Sequence, residues 1–237
     1  MMKSAKDTNW YQFWDERGRS HPDDDPIAID GWDYGISMMR EQDAAELRDQ
    51  VATELKLTSQ DKFLEVGCGA GMYLLPLSDI VDRAVGCDLA ETMLKRARQF
   101  DTDLMVQVAE AGYLPYPSAE FDAVLVYSVF HYFPSFEYTS QVLEELFRVC
   151  KVNGRIWIGD IPDISMKEQA LSHREKLMKS NSPRWTWPNI GPLEQRFYDH
   201  EFFAQFAEEV GCKIRLVPQS VVGYVQGQYR FNVCLEK

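Results

Sequence analysis

A short apolar segment that runs into a glycine-rich turn constrains this chain more than any other feature. Residues 62–66 read Lys-Phe-Leu-Glu-Val, and Gly67, Gly69 and Gly71 follow at alternate positions before a second apolar run. Glycines let a backbone turn sharply and approach a ligand closely, and a helix N-terminus presents free N–H groups. A strand that ends in such a turn and opens a helix therefore indicates a nucleotide site in an open α/β sheet.

The spacing of the glycines discriminates between nucleotides. The dinucleotide fingerprint is G-x-G-x-x-G, but Met72 occupies the place of its third glycine, which disfavours an NAD-dependent oxidoreductase. Glu65 lies inside the strand, where a buried carboxylate is costly unless it has a partner. Residues 65–71 resemble the E/D-x-G-x-G-x-G motif of the class I S-adenosylmethionine-dependent methyltransferases and match it at every fixed position.

Later segments resemble further motifs of this family, in the family's order. Residues 88–97 are similar to D-x-S-x-x-M-L-x-x-A, and residues 109–116 to G-D-A-x-x-L-P-F, with Glu110 in place of the usual Asp. Residues 121–134 are similar to F-D-x-V-x-x-x-x-x-L-H-H-L-P, and residues 143–155 to L-x-x-L/F-x-R-V-x-K-x-x-G-R. One glycine motif would be weak evidence, whereas four ordered motifs point strongly to the family.

The resemblance implies a fold and a set of domain boundaries. We expect one α/β methyltransferase domain over residues 1–237, with a Rossmann-like, mostly parallel seven-stranded sheet, an antiparallel last strand and helices on both faces. The helix that follows the glycine turn is expected to begin at about residue 70 and to end within residues 76–79. A helix over residues 137–150 is expected to end in a turn at 151–154 before strand five.

Two further segments are expected to complete the site. Residues 1–36 carry Trp10, Phe13 and Trp14 at helical spacing. This arm either packs its aromatic side chains on the core or, as in many members of the family, covers the cofactor. Residues 162–197, rich in proline and tryptophan, follow strand five and are expected to cap the acceptor, because such insertions line the ligand crevice.

The cofactor implied is S-adenosylmethionine. Asp88 lies about 20 residues past Gly67, the spacing at which a carboxylate meets ribose hydroxyls. The resemblance implies that Met93 packs on the adenine, although a plain core methionine is the alternative. It also implies that Glu110 accepts from the adenine amino group, unless it is a solvated loop acid. The predicted cofactor-binding residues are Tyr11, Trp14, Glu65, Gly67, Cys68, Gly69, Gly71, Asp88, Leu89, Met93, Glu110, Ala111 and Tyr127.

The sequence predicts the acceptor-binding and catalytic residues less specifically than the cofactor-binding residues. An oxygen acceptor needs a base, whereas an amine needs only to arrive neutral. His131 and His173 are the candidate catalytic residues. The alternative for His131 is a structural or cofactor-side role, and the alternative for His173 is an ordinary position on a surface helix. The predicted substrate-binding residues are Tyr34, His131, Asp160, Trp185 and Trp187. The cap's tryptophans, with Arg174 and Arg184, fit a sugar, an aromatic ring or an anionic small molecule.

Charge and composition restrict the partners. The chain has 25 Lys and Arg against 37 Asp and Glu, a formal net charge of −12. This argues against a nucleic acid and against an anionic membrane surface. Five scattered cysteines and no long apolar run indicate a cytoplasmic protein, and no metal cluster is visible. The expected assembly is a monomer or a homodimer. The predicted function is methyl transfer to an oxygen or nitrogen of a small molecule, and the alternative is a catalytically silent cofactor-binding module.

Overall fold

A computed structural model describes residues 4–22, 24–32, 41–180, 190, 192–219, 221 and 223–237 of the chain. Seven strands form one sheet in the order β3-β2-β1-β4-β5-β7-β6. Strand β7 is antiparallel to both of its neighbours, and the other pairings are parallel. The predicted fold class is therefore confirmed. The strands are β1 Lys62–Val66, β2 Arg83–Asp88, β3 Val106–Val108, β4 Phe121–Tyr127, β5 Cys150–Pro162, β6 Lys213–Pro218 and β7 Arg230–Glu236.

Helices cover both faces of this sheet. Within the described residues they are α1 Asn9–Ser20, α2 Glu41–Glu54, α3 Leu74–Ser78, α4 Glu91–Phe100, α5 Phe136–Val149, α6 Lys167–Ser180 and α7 His200–Val210. Apolar side chains of α2, α3 and α4 pack in one core layer with Phe63 and Leu125. Those of α5 and α7 pack in the opposite layer with Leu64 and Val124. Neighbouring residues of β1 and β4 thus face opposite layers, as expected for strands buried on both sides.

Two element boundaries differ from the sequence prediction, each for a local reason. Helix α3 begins at Leu74, not near residue 70, because Gly69 and Gly71 have φ values of 53° and 99° and hold the chain in a turn. Strand β5 begins at Cys150, where a turn was predicted over residues 151–154. Cys150 pairs with Phe121, and the register then shifts before Ala123, so the extra residues form an irregularity within the strand.

The N-terminal arm, here residues 4–22 and 24–32, packs against α4. Gly18 of α1 allows a close approach, since a Cβ there would lie 2.7 Å from the backbone nitrogen of Met93. The Thr92 hydroxyl donates to the carbonyl of Asp15 across this contact, at 2.7 Å. The predicted aromatic face of α1 is also present: Trp10 and Phe13 are buried in a small apolar cluster.

Arg17 joins the two parts of the arm. Its side chain is fully buried, Nε donates to the carbonyl of Ile29 at 2.7 Å, and Nη2 donates to that of Ala28 at 2.6 Å. The guanidinium also lies 5.9 Å from the centre of the Trp14 ring. The arginine therefore fixes residues 28 and 29 against α1.

None of the helices in the described ranges has both the length and the apolar character that crossing a membrane requires.

Candidate active site

The turn after β1 brings backbone N–H groups to the carboxyl edge of the sheet. Gly67 has a φ of 78°, and its N–H, like that of Cys68, donates to the carbonyl of Cys87 at the end of β2. A Cβ on Gly67 would lie 2.4 Å from a methyl of Val129. Both the dihedral angle and the close approach therefore require glycine at this position.

The carboxyl group of Asp88, the last residue of β2, is hydrogen-bonded to this turn. Its Oδ2 accepts from the N–H of Gly69 at 3.0 Å, and its Oδ1 accepts from that of Ala90 at 2.8 Å. Burial raises the pKa of Asp88, while these N–H groups lower it. Each carboxylate oxygen has a second lone pair, so the group retains accepting capacity toward the adjoining cavity.

Asp30, from the N-terminal arm, binds the same turn. Its Oδ1 accepts from the N–H of Ala70 at 2.6 Å, and its Oδ2 accepts from that of Met72 at 3.0 Å. Burial raises the pKa of Asp30 to about 7, with Asp88 raising it further and the two N–H groups and Arg17 lowering it. The arm is therefore attached directly to the turn by a carboxyl group that titrates near neutrality.

Glu65 is the third carboxyl group at this place. It is only 2% exposed, and its Oε2 has no hydrogen-bond partner among the described residues. Burial, together with the neighbouring Asp30 and Asp88, raises the pKa of Glu65 well above its ordinary value. Three crowded acids and an unpaired acceptor are costly unless a cation or a hydrogen-bond donor joins them.

The glycine-loop cavity, a space of about 1000 Å³, lies between the turn and the arm. Gly71 and Glu110 do not line it. The N–H of Gly71 donates to the carbonyl of Cys68 within the turn, and Oε1 of Glu110 accepts from Ser4 Oγ and Ala5 N at 2.9 and 2.8 Å. The other predicted cofactor residues all line the cavity: Tyr11, Trp14, Glu65, Gly67, Cys68, Gly69, Asp88, Leu89, Met93, Ala111 and Tyr127.

The Asp160 cavity, a second space of about 840 Å³, lies next to the first. Asp160 ends the straight part of β5 with a φ of 62° and is 1% exposed. Its Oδ1 accepts from the Tyr224 hydroxyl at 2.6 Å, and its Oδ2 accepts from the Ser128 hydroxyl at 2.7 Å. Of the predicted substrate residues that the structure describes, His131 and Asp160 both line this cavity.

The two candidate catalytic histidines are placed differently. His131 is 2% exposed, and its Nδ1 has no hydrogen-bond partner within the described ranges. Burial lowers the pKa of His131 well below its ordinary value, and Arg230 and Arg174 lower it further. His173 lines neither cavity: its ring lies 5.5 Å from that of Tyr229. The next residue of α6, Arg174, reaches the Asp160 cavity instead. Tyr34, Trp185 and Trp187 lie outside the described residues.

Some lining residues were missed by the sequence reasoning. Asp30 belongs to no motif, and its only signal is its place just before the glycine-flanked aromatic loop at residues 31–35. Trp32 belongs to that loop, but only its neighbour Tyr34 was singled out. Arg230 and Gln226 lie near the end of the chain, and only the sheet order, with β7 beside β5, brings them to the Asp160 cavity.

A reversed β7 inserted between β5 and β6, with a glycine turn after β1 and an acid ending β2, defines the class I S-adenosylmethionine-dependent methyltransferases. Residues 64–158 match the family model of a methyltransferase domain. Over residues 64–158 the chain is therefore similar to the methyltransferase domains of this class.

Similar proteins include two curated relatives and a solved structure. The 27-O-demethylrifamycin SV methyltransferase of Amycolatopsis mediterranei (strain S699) is 30% identical over 136 residues, 54% of this chain and 48% of that protein. The tRNA (carboxymethyluridine(34)-5-O)-methyltransferase of Arabidopsis thaliana is 29% identical over 153 residues, 62% of this chain and 36% of that protein. Haemonchus contortus phosphoethanolamine N-methyltransferase 1 shares the fold with a TM-score of 0.69 at 13% identity, over 99% of this chain and 50% of that one. The chain thus spans no more than half the length of each.

Proposed function

We propose that this protein transfers a methyl group from S-adenosylmethionine to an oxygen or nitrogen of a small molecule, in the biosynthesis of a specialised metabolite or sugar. The observation that carries the proposal is that the two cavities adjoin and share a set of lining residues, here called the common wall. A donor in one cavity and an acceptor in the other would meet where the cavities adjoin. The residues that line both are Trp10, Trp14, Asp30, Trp32, Ser128 and Tyr132.

The glycine-loop cavity fits this cofactor. S-adenosylmethionine, when bound, supplies an electrophilic methyl group on a sulfonium sulfur. Asp88 and Met93 both line this cavity; Asp88 would accept from the ribose hydroxyls, and Met93, 2% exposed, would provide an apolar surface for the adenine. A cationic ligand would favour the ionised forms of Glu65 and Asp30, whose pKa values burial raises, and the ring of Trp14 can favour a cation through its π face. Oε2 of Glu65, which has no hydrogen-bond partner among the described residues, would accept a hydrogen bond from such a ligand.

The common wall would also exclude water from the reacting atoms. Trp10 and Trp14 both contact Tyr132, with ring centres 4.4 and 5.6 Å apart. An alignment of donor and acceptor in a dry site is the main requirement of methyl transfer by displacement. For an oxygen acceptor, the unpaired Nδ1 of His131 is the proposed site that takes the proton; the lowered pKa keeps the ring neutral and also makes it a weak base.

Support for a small-molecule acceptor comes from one of the two relatives and from charge. One relative is named for a rifamycin and another for a tRNA. The formal charge of −12 disfavours a polyanionic acceptor. Both relatives are named for methylation of oxygen and the Haemonchus contortus protein for methylation of nitrogen, so the proposal includes both acceptor atoms.

Calorimetry and a label-transfer assay test the proposal. The protein should bind S-adenosylmethionine and S-adenosylhomocysteine, and methyl-labelled cofactor should transfer its label to a small-molecule extract and not to total tRNA. Label in tRNA would contradict the proposed acceptor class. Binding without transfer to any acceptor would instead support the silent binding module, and no cofactor binding would refute both.

The titration of Asp30 predicts opposite pH effects on stability and on binding. Its folded pKa of about 7 lies above the ordinary value of 3.8, so between these two pH values the folded protein holds a proton that the unfolded chain has lost. The stability of the free protein should therefore fall as the pH rises toward 7, whereas affinity for the sulfonium cofactor should rise as the carboxylate forms.

Calorimetry between pH 6 and 7.5 checks this, because the cofactor's own α-amino group titrates near 7.7–8.0. Glu65 and Asp88 face the same cavity, so the measured quantity is the difference between wild type and Asp30→Asn. The rise in S-adenosylmethionine affinity with pH should be smaller in Asp30→Asn than in wild type. In wild type it should also be smaller for S-adenosylhomocysteine, which lacks the sulfonium charge. Parallel pH profiles for wild type and variant would contradict the assignment of the pKa to Asp30.

A further inference from the structure

Two arginines face the Asp160 cavity, from different elements. Arg174 extends from α6, and Arg230 begins β7. The side chain of Arg230 is 9% exposed, with Nε 3.8 Å from Oδ1 of Asp160. The half-buried Arg174 has no hydrogen bond or ion pair to any residue that the structure describes, and burial together with Arg230 lowers its pKa. Two guanidinium groups thus share one wall.

The acids of this cavity do not balance both positive charges. Asp160 already accepts from Tyr224 and Ser128 and serves as the counter-charge of Arg230. Asp30 also lines the cavity, but the N–H groups of Ala70 and Met72 hold its carboxyl group at the glycine turn, burial raises its pKa to about 7, and it forms no ion pair with Arg174 or Arg230 in the described part of the chain. His131 adds no charge while its ring is neutral. The end of the cavity near Arg174 therefore carries excess positive charge.

Two residues that line the same space carry unpaired polar atoms. Gln226 is 5% exposed, and its Nε2 donor has no hydrogen-bond partner in the described part of the chain. Nδ1 of His131 is unpaired as well, and both residues line the cavity. A buried donor without a partner is costly, and an acceptor-rich ligand beside the arginines would satisfy it.

We propose that the methyl acceptor is an anionic small molecule whose carboxylate or phosphate group binds to Arg174 and Arg230, with Gln226 as a further donor. Arginine suits both anions because its planar fork donates two hydrogen bonds at once. The anionic group would anchor the molecule at the α6 end and leave its methyl-accepting atom toward the common wall. This inference rests on the proposed function, since it assigns the substrate class of the same site.

Binding of simple probes tests it without any turnover. The protein is first saturated with S-adenosylhomocysteine, and calorimetry then measures binding of benzoate, inorganic phosphate and the neutral benzamide. We expect saturable binding of benzoate or phosphate and much weaker binding of benzamide. Preference between the first two identifies the anion. Equal affinities for benzoate and benzamide, or no binding of either anion, would overturn the proposal.

Matched variants locate the anion. Arg174→Gln should weaken binding of the preferred probe at least about tenfold. Lys176→Gln removes the same charge from an exposed position of α6 and should bind the probe as wild type does. Unchanged binding in Arg174→Gln, or an equal loss in Lys176→Gln, would contradict the assigned contact. Failure of the cofactor itself to bind in the first step would refute the proposed function instead.

Discussion

Asp88→Ala should lower the affinity for S-adenosylmethionine on the order of 100-fold, measured by calorimetry. A hydrogen bond to a charged group contributes about 1.5–3 kcal/mol, and Asp88 is proposed to accept from two ribose hydroxyls. The substitution also removes the acceptor of the Gly69 and Ala90 N–H groups. Part of the loss would therefore come from the glycine turn and part from the ribose.

An analogue separates these two contributions. A 2′-deoxyribose form of S-adenosylhomocysteine should bind wild type more weakly than S-adenosylhomocysteine does, and Asp88→Ala should no longer distinguish the two ligands. Asp103→Ala, which removes an acid from an exposed loop before β3, serves as the charge control and should leave affinity unchanged. Wild-type affinity in Asp88→Ala would show that the end of β2 does not hold the ribose.

Arg17→Met should release the N-terminal arm and weaken cofactor binding at least about tenfold. Affinity falls because a larger fraction of the protein has the arm detached and cannot bind the cofactor. The methionine fills much of the same space but leaves the carbonyls of Ala28 and Ile29 without their donor. Each buried group left unsatisfied costs about 1–3 kcal/mol. Because Asp30 directly follows Ile29, the loss should also loosen the attachment of the arm to the glycine turn.

Limited proteolysis and calorimetry measure the two effects. The arm of Arg17→Met should be cleaved faster than that of wild type, while circular dichroism shows the sheet intact. Arg17→Lys should recover little, since an ammonium group cannot match the planar fork. Arg19→Met provides the control on the same helix, because Arg19 is exposed and pairs at the surface with Asp15 and Glu16. Wild-type proteolysis and affinity in Arg17→Met would contradict the role of the arginine.

The sequence was sufficient where function depends on local chain geometry. The glycines at 67, 69 and 71 need positive φ values, and they have them. Asp199, a residue type that favours helix N-caps, directly precedes the last helix, and its Oδ1 accepts from the N–H of Glu201 at 2.7 Å. Such features leave a trace in consecutive residues, because the backbone conformation itself restricts which side chains can occupy them.

The sequence was insufficient where side chains distant along the chain converge. Asp30 and Met72 are 42 positions apart, and no local spacing relates them. Arg174 and Arg230 face one cavity only because β7 inserts beside β5 and α6 follows that strand. His173 illustrates the same limit, since a rotation of one residue along α6 decides which side chain reaches the cavity. Adjacency of this kind follows from tertiary packing, which a residue pattern does not encode.

The N-terminal arm supplies Trp10, Trp14 and Asp30 to the walls of both cavities. One displacement of this segment would therefore expose both ligands simultaneously. Under the proposed function, donor and acceptor must both enter before the segment closes, and both products leave during one opening. We accordingly expect a sequential kinetic mechanism through a ternary complex.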